Sequence, residues 1–145
     1  MGDYILNKVR TPIEVRYQET DQMGVVYHAN YLIWFEIGRT KLINALGLSY
    51  PEMERKGVVS PVIDAQVSFI KPVRYGDAVS IDTWLSSYNG IRSEYSYEVI
   101  GEDNEVAVRG TTKHVIVDKE TFRPLSLRRK FPDWHEIYSK LIEGE

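Results

Sequence analysis

The stretch from about Ala29 to Leu46 constrains this chain more than any other. Tyr31, Trp34, Phe35, Gly38, Leu42, Ala45 and Leu46 recur at three- and four-residue steps, the spacing that lines side chains along one face of an α-helix. Leu32, Ile33 and Ile37 add apolar surface elsewhere around its first half. A helix that is apolar nearly all round has to be enclosed by other structure rather than lie on top of it. At about 1.5 Å of rise per residue it would run close to 27 Å, the width of a small domain. Gly47 is a natural stop, and Ser49 followed by Glu52 has capping-box spacing for a short helix ending near Gly57.

The segments available to enclose that helix have a period of two. Val9 to Tyr17 mixes β-branched residues with charges and reads as a first strand, with Pro12 pointing to an edge or a bulge. Ile63, Ala65, Val67 and Phe69 alternate with polar residues, as do Val79, Ile81, Thr83 and Leu85, and then Ile91, Ser93, Tyr95, Tyr97 and Val99. A polar turn at Gly101–Asn104 leads into a long strand from Glu105 to about Asp118. There the apolar phase changes from Val106 and Val108 to Val115 and Val117, which predicts a bulge or sharp bend near Gly110. Asp133 to Leu141 reads as an amphipathic C-terminal helix. Consecutive strands on tight turns make an antiparallel sheet, and one helix against it gives the α+β class.

Composition narrows the function classes. With 145 residues, 43% of them hydrophobic, and no linker or repeat, residues 1–145 are expected to form one domain. The 18 Lys+Arg against 21 Asp+Glu argue against a nucleic acid partner. Absence of cysteine excludes disulfides, thiolate metal sites and a cysteine nucleophile, and three scattered histidines form no metal pattern. No apolar run approaches the roughly 20 residues that cross a bilayer, and Met1–Lys8 lacks a signal-peptide core. The expectation is a soluble, cytoplasmic protein with no membrane partner.

The densest chemistry lies in the loop Asp21-Gln-Met-Gly24-Val-Val-Tyr27-His28-Ala-Asn30-Tyr31. The first N–H groups of a helix lack internal acceptors and carry partial positive charge, so a carbonyl aimed at them is polarised. A carboxylate on the preceding loop is then placed to attack that carbonyl or to deprotonate water, and Gly24 lets the backbone turn tightly. Read residue by residue, plainer roles stay open: Asp21 as a loop aspartate bonding local amides, His28 as a helix-start histidine, Asn30 as an N-cap.

The same residues, followed by Trp34-Phe35-Glu36 and Arg39, then Pro61, Val67-Ser-Phe69 and Pro72-Val-Arg-Tyr-Gly76-Asp77, resemble the 4-hydroxybenzoyl-CoA thioesterase family of hot-dog-fold proteins. More narrowly they are similar to the bacterial acyl-CoA thioesterase branch that includes the Tol-Pal-associated enzyme. The resemblance spans roughly residues 9–120. It implies a curved antiparallel sheet wrapped around one long helix, homodimers that often pair into tetramers, and active sites at the subunit interface. It also implies hydrolysis of acyl-CoA to a carboxylic acid and coenzyme A, with no cofactor or metal.

By position, the resemblance makes Asp21 the catalytic carboxylate and the His28 backbone N–H the oxyanion donor. Gly24, Tyr27, Asn30, Glu36 and Ser60 become substrate-binding candidates, with Ser60 facing the acyl group from the neighbouring subunit. For Glu36 the competing role is a glutamate satisfied by Arg39. Tyr27, Tyr31 and Trp34 are acyl-pocket candidates, although aromatics at helical spacing are more often core. Lys71, Arg74 and Arg92 are the cations for coenzyme A phosphates, although Ser87, Tyr88 and Asn89 stand where family members often carry more basic residues. Arg128-Arg129-Lys130 reads as a solvated charge set. Two other activities fit such a fold: an acyl-CoA sensor, which has no need of Asp21, and a dehydratase or hydratase, which would need the His28 side chain.

Overall fold

In the computed structural model, which describes residues 7–143, the apolar stretch forms helix α1, Asn30–Ala45. The reading of the N-terminus as free of a signal peptide falls largely on residues outside that range. Helix α1 ends where Gly47 takes a φ of +80°, and the Leu48 N–H returns to the Ile43 carbonyl at 3.1 Å, closing the last turn. Ser49 then caps α2 (Tyr50–Arg55), its hydroxyl accepting the Glu52 N–H.

Among the described residues, seven strands follow the alternating segments: β1 (Lys8–Ile13), β2 (Val58–Val59), β3 (Val62–Phe69), β4 (Val79–Tyr88), β5 (Arg92–Ile100), β6 (Val106–Val115) and β7 (Val117–Asp118). Five of them form one sheet in the order β1-β4-β5-β6-β3, every neighbour antiparallel, while β2 and β7 pair separately. Pro12 sits on the edge strand β1, where its missing N–H costs no ladder bond. Helix α1 packs across β1, β4 and β5, burying Trp34, Phe35 and Leu42 against Ile81, Leu85 and Tyr97. Helices α3 (Leu127–Lys130) and α4 (Pro132–Glu143) cover one end of this core with Leu127, Trp134, Tyr138 and Leu141. Arg128, Arg129 and Lys130 are exposed on α3, as a solvated charge set should be. Among the described residues no helix is long and apolar enough to cross a membrane.

Three expectations are corrected. The first strand stops at Ile13, short of Tyr17, because the Glu19 carboxylate takes the Arg16 backbone N–H at 2.8 Å and turns Tyr17–Glu19 into a 3₁₀ turn. The second concerns Gly110, which pairs in register with both Tyr97 and Val67, so no bulge lies there. Inward positions continue unbroken through Val108, Gly110, Thr112 and His114, and the register shift sits between the Val99–Val108 and Ile100–Val106 pairs. Gly110 is glycine because the Phe35 ring presses onto it: a Cβ there would come within 2.4 Å of that ring.

The third correction concerns enclosure. Within one chain α1 is covered on one side only, leaving Leu32, Ile33 and Ile37 about 40% exposed or more. Edge strand β3 and the residue after it expose Val62, Ile63, Phe69 and Ile70 in the same way.

Candidate active site

The loop from Thr20 to Val26 is a narrow hairpin. Thr20 bridges Val26, the Asp21 N–H donates to the Val25 carbonyl at 2.9 Å, and Gly24, at a φ of +79°, closes the turn by donating to the Asp21 carbonyl. A non-glycine residue there would be strained. The hairpin is pinned to the chain after β3 by the Val26 N–H on the Val73 carbonyl, 2.8 Å, and by a bridge between Val25 and Arg74. Asp21 is half-buried, and its Oδ1 accepts the Met23 N–H at 2.8 Å. The local role open to a loop aspartate is therefore real, and it fixes one carboxylate oxygen while the other has no partner among the described residues.

Helix α1 begins without a side-chain cap: Ala29 holds the cap position with helical dihedrals. The Asn30 and Tyr31 N–H groups return to the Tyr27 and His28 carbonyls. Those of His28 and Ala29 have no acceptor among the described residues, which leaves them for a ligand at the electropositive helix tip. Asp21 and His28 share one cleft of about 350 Å³, walled by Val25, Tyr31, Phe69 and Ile70 with Lys71 at its side. The Phe69 ring lies 6.3 Å from the His28 ring and 5.7 Å from that of Tyr31. Burial pushes the Tyr31 phenol up to about 12, so it stays protonated.

The remaining candidates divide. Gly24 shapes the turn without forming cleft wall. Tyr27 is exposed beside the His28 ring, its N–H bonded to the Glu19 carbonyl, and the Asn30 side-chain amide donates to that same carbonyl at 2.8 Å. Trp34 is core. Lys71 sits at the cleft, its ammonium on Asp103 at 2.8 Å and on Glu105, and those hydrogen bonds raise its pKa further. Arg74 is exposed, its side chain without an ion-pair partner among the described residues. Arg92 opens β5 opposite Val115, whereas Lys71 is tied to Ala107, eight positions earlier on β6. At about 3.3 Å per residue that is roughly 26 Å away.

Glu36 and Ser60 do not reach the Asp21 cleft of their own chain. They border a second cavity of about 190 Å³ with Arg39, Tyr50, His114 and Tyr138; Glu36 stands eight residues along α1 from His28, about 12 Å of helix. Glu36 makes no ion pair with Arg39 in the described structure. The guanidinium donates instead to the Tyr97 oxygen at 3.0 Å. From there one chain of donors runs through Tyr97 O–H to Thr112 Oγ1 (2.6 Å), Thr112 O–H to His114 Nε2 (2.9 Å) and His114 Nδ1–H to the Ser60 carbonyl (3.0 Å). The Ser60 carbonyl can only accept, which fixes the histidine tautomer and every donor before it.

Two residues of the site carry no signal of their own in the sequence. Phe69 reads as one more apolar residue of an alternating strand until its position at the end of β3 sets it over His28. Glu19 looks like loop polarity, yet it is buried beneath the hairpin and bonded to the Trp34 indole at 3.1 Å.

Known proteins share this architecture. A DHNA-CoA thioesterase from Staphylococcus aureus superposes with a TM-score of 0.92 at 45% identity, covering 95% of both chains. "Putative acyl-CoA thioesterase YneP" of Bacillus subtilis (strain 168) is 52% identical over 88% of this chain and 93% of its own length. The acyl-CoA thioester hydrolase YbgC of Escherichia coli O6:H1 is 28% identical over 81% of this chain and 88% of its own. An antiparallel sheet packed on one long helix, together with these relatives, defines the class as a thioesterase of the hot-dog fold. Residues 15–137 match the model of the Thioesterase-like superfamily, and the chain belongs to that superfamily.

Proposed function

We propose that this protein hydrolyses acyl-CoA thioesters to a carboxylic acid and coenzyme A, and that Asp21 and the His28 N–H carry the reaction. The observation that supports it most is a half-buried carboxylate sharing a cleft with the unpaired N–H groups of a helix start. With the thioester carbonyl oxygen at those groups, charge that develops on it is stabilised as it forms. Asp21 supplies the attack, through its own oxygen or through a water it deprotonates, and the tetrahedral centre collapses with loss of the thiolate; on the first route a water then cleaves the Asp21–acyl anhydride, releasing the carboxylic acid and restoring the carboxylate. Within the superfamily we place the chain with the acyl-CoA thioesterase branch of the 4-hydroxybenzoyl-CoA thioesterase family, on the motif from Asp21 to Tyr31.

The working unit is a homodimer, with a dimer of dimers as the larger assembly. The apolar side of α1 and the edge of β3 are both uncovered in one chain, with Tyr31 of the helix against Phe69 at the strand's end, and a second copy of the chain buries both. Antiparallel pairing of two β3 strands sets the Ser60 end of one chain against the Phe69 end of the other. The cavity holding Glu36 and Ser60 then opens beside the partner's Asp21 cleft, and Arg92 of one chain approaches Arg74 and Lys71 of the other around the coenzyme A phosphates.

A panel of acyl-CoA esters assayed by free-thiol release tests the chemistry. Asp21→Ala, and nearly as fully Asp21→Asn, should lower turnover by at least ~100-fold, the scale of a lost general base, while the protein still folds. Turnover within tenfold of the parent protein would refute the assignment.

A further inference from the structure

We propose that Glu19 is a positioning residue for the thioesterase site, holding Asp21 and the His28 N–H at their working separation; the inference rests on the reaction assigned to those two groups. Glu19 lies two residues before Asp21 and is only 4% exposed. Its carboxylate collects three donors: the Arg16 backbone N–H on Oε1 at 2.8 Å, and the Trp34 indole N–H (3.1 Å) and Arg16 guanidinium (3.3 Å) on Oε2. Its backbone carbonyl collects two more, the Tyr27 N–H and the Asn30 side-chain amide, both at 2.8 Å.

These five bonds tie one residue to three places: Arg16 in the segment after the first strand, the second turn of α1 at Trp34, and the start of α1 at Tyr27 and Asn30 on either side of His28. The carboxylate thus fixes the hairpin that carries Asp21 against the body of the helix. The carbonyl holds Tyr27 and Asn30, the residues that flank His28 at the helix start. Glu19 so joins the segment leading into the Asp21 hairpin to the helix start that carries the His28 N–H. A misplacement of about 1 Å between reacting groups is enough to lose on the order of 100-fold in rate, so the bracket has a kinetic consequence beyond its contribution to stability.

Chemistry explains why the bracket is an acid. Every partner of the side chain is a donor, and a carboxylate accepts at both oxygens. Glutamine has the same shape, but its NH₂ must face either the Arg16 N–H or the Trp34 indole, leaving two donors opposed in a buried place. Glu19→Gln therefore tilts the hairpin against the helix without changing side-chain volume.

The test uses the full-length protein and the acyl-CoA ester that the parent hydrolyses fastest, well below the unfolding midpoint of each variant. Glu19→Gln is expected to lower kcat by ~10- to 100-fold while KM stays within about threefold, since the cleft walls are untouched. Trp34→Phe removes one donor and keeps the acid, so it should lower kcat by a smaller factor in the same pattern. A kcat per folded molecule within threefold of the parent in both variants, or a change confined to KM, overturns the proposal. So does failure of both variants to fold, which would make Glu19 a stability element alone. Loss of activity in Asp21→Asn beside full kcat in Glu19→Gln removes this inference and leaves the reaction intact. A parent whose hydrolysis does not depend on Asp21 removes the reaction and the inference with it.

Discussion

Thr83 is wholly buried on β4, and its hydroxyl is the buried side-chain polar atom without a hydrogen-bond partner among the described residues. It faces α1 at Gly38, where a Cβ would come within 2.2 Å of the Thr83 oxygen, so no donor or acceptor fits between helix and sheet at that point. A buried hydroxyl without a partner is destabilising, whereas a methyl of the same shape loses nothing. Thr83→Val should accordingly stabilise the protein by about 1 kcal/mol, raising the thermal midpoint by ~2–4 °C for a chain of this size. A fall in the midpoint would mean that the hydroxyl has found a partner or that the helix contact is too tight for a methyl. Asp21 shows the same tension in what single residues disclose. Its role as a loop aspartate bonding a local amide is seen in the hydrogen bond from Met23, and its place beside a helix start is what the proposed chemistry rests on. Glu19 was unreadable, because what distinguishes it is burial and a bond to a side chain fifteen residues away.

Elements were legible in proportion to how far their own periodicity decides their surroundings. Helix α1 came within a residue of its expected bounds because its period and Gly47 are local facts. Strand β6 misled because its inward positions after Gly110 are filled by Thr112 and His114, polar residues that a pattern of apolar side chains reads as outward-facing. They can face inward because the chain from Arg39 to Ser60 satisfies them, a long-range arrangement with no trace in β6 itself. The same long-range packing makes a definite demand on Gly110. Phe35 is fully buried and stacked on Tyr97, ring centroids 4.3 Å apart and planes within 2°, so its ring has nowhere to retreat. Gly110→Ala should destabilise by about 1–3 kcal/mol, the usual consequence of overpacking a filled core, read as a lower midpoint in urea with an unchanged slope. An unaltered midpoint would show that Phe35 can swing clear. Strand β3 is the opposite case: its alternation was legible, but both of its faces are exposed in one chain, where no local element covers them.

At the scale of the whole molecule, the chain of hydrogen bonds from Arg39 to Ser60 joins α1, β5, β6 and the approach to edge strand β3, and its direction depends on a neutral His114. Burial, with a smaller contribution from the nearby Arg39 charge, holds the His114 pKa down at about 4 from its ordinary 6.5, against an opposing pull from the Ser60 carbonyl. Protonation would place a hydrogen on Nε2, where the Thr112 hydroxyl now donates, and reverse that link against the Tyr97 hydroxyl and the guanidinium behind it. Since the folded-state pKa lies below the unfolded one, the unfolded chain takes up the proton first as pH falls. The neutral histidine therefore leaves stability whole above about pH 6.5, erodes it between about 6.5 and 4, and adds no further loss below. A gap of that size corresponds to about 3 kcal/mol across the window. Carboxylates titrate over part of the same range, so the measurement is a comparison: urea unfolding of the parent protein and of His114→Gln at pH 7 and at pH 4.5. The parent should lose about 2–3 kcal/mol more than the variant between the two. Equal losses would mean that His114 accepts its proton inside the fold at no penalty, and that the chain of donors can run in either direction.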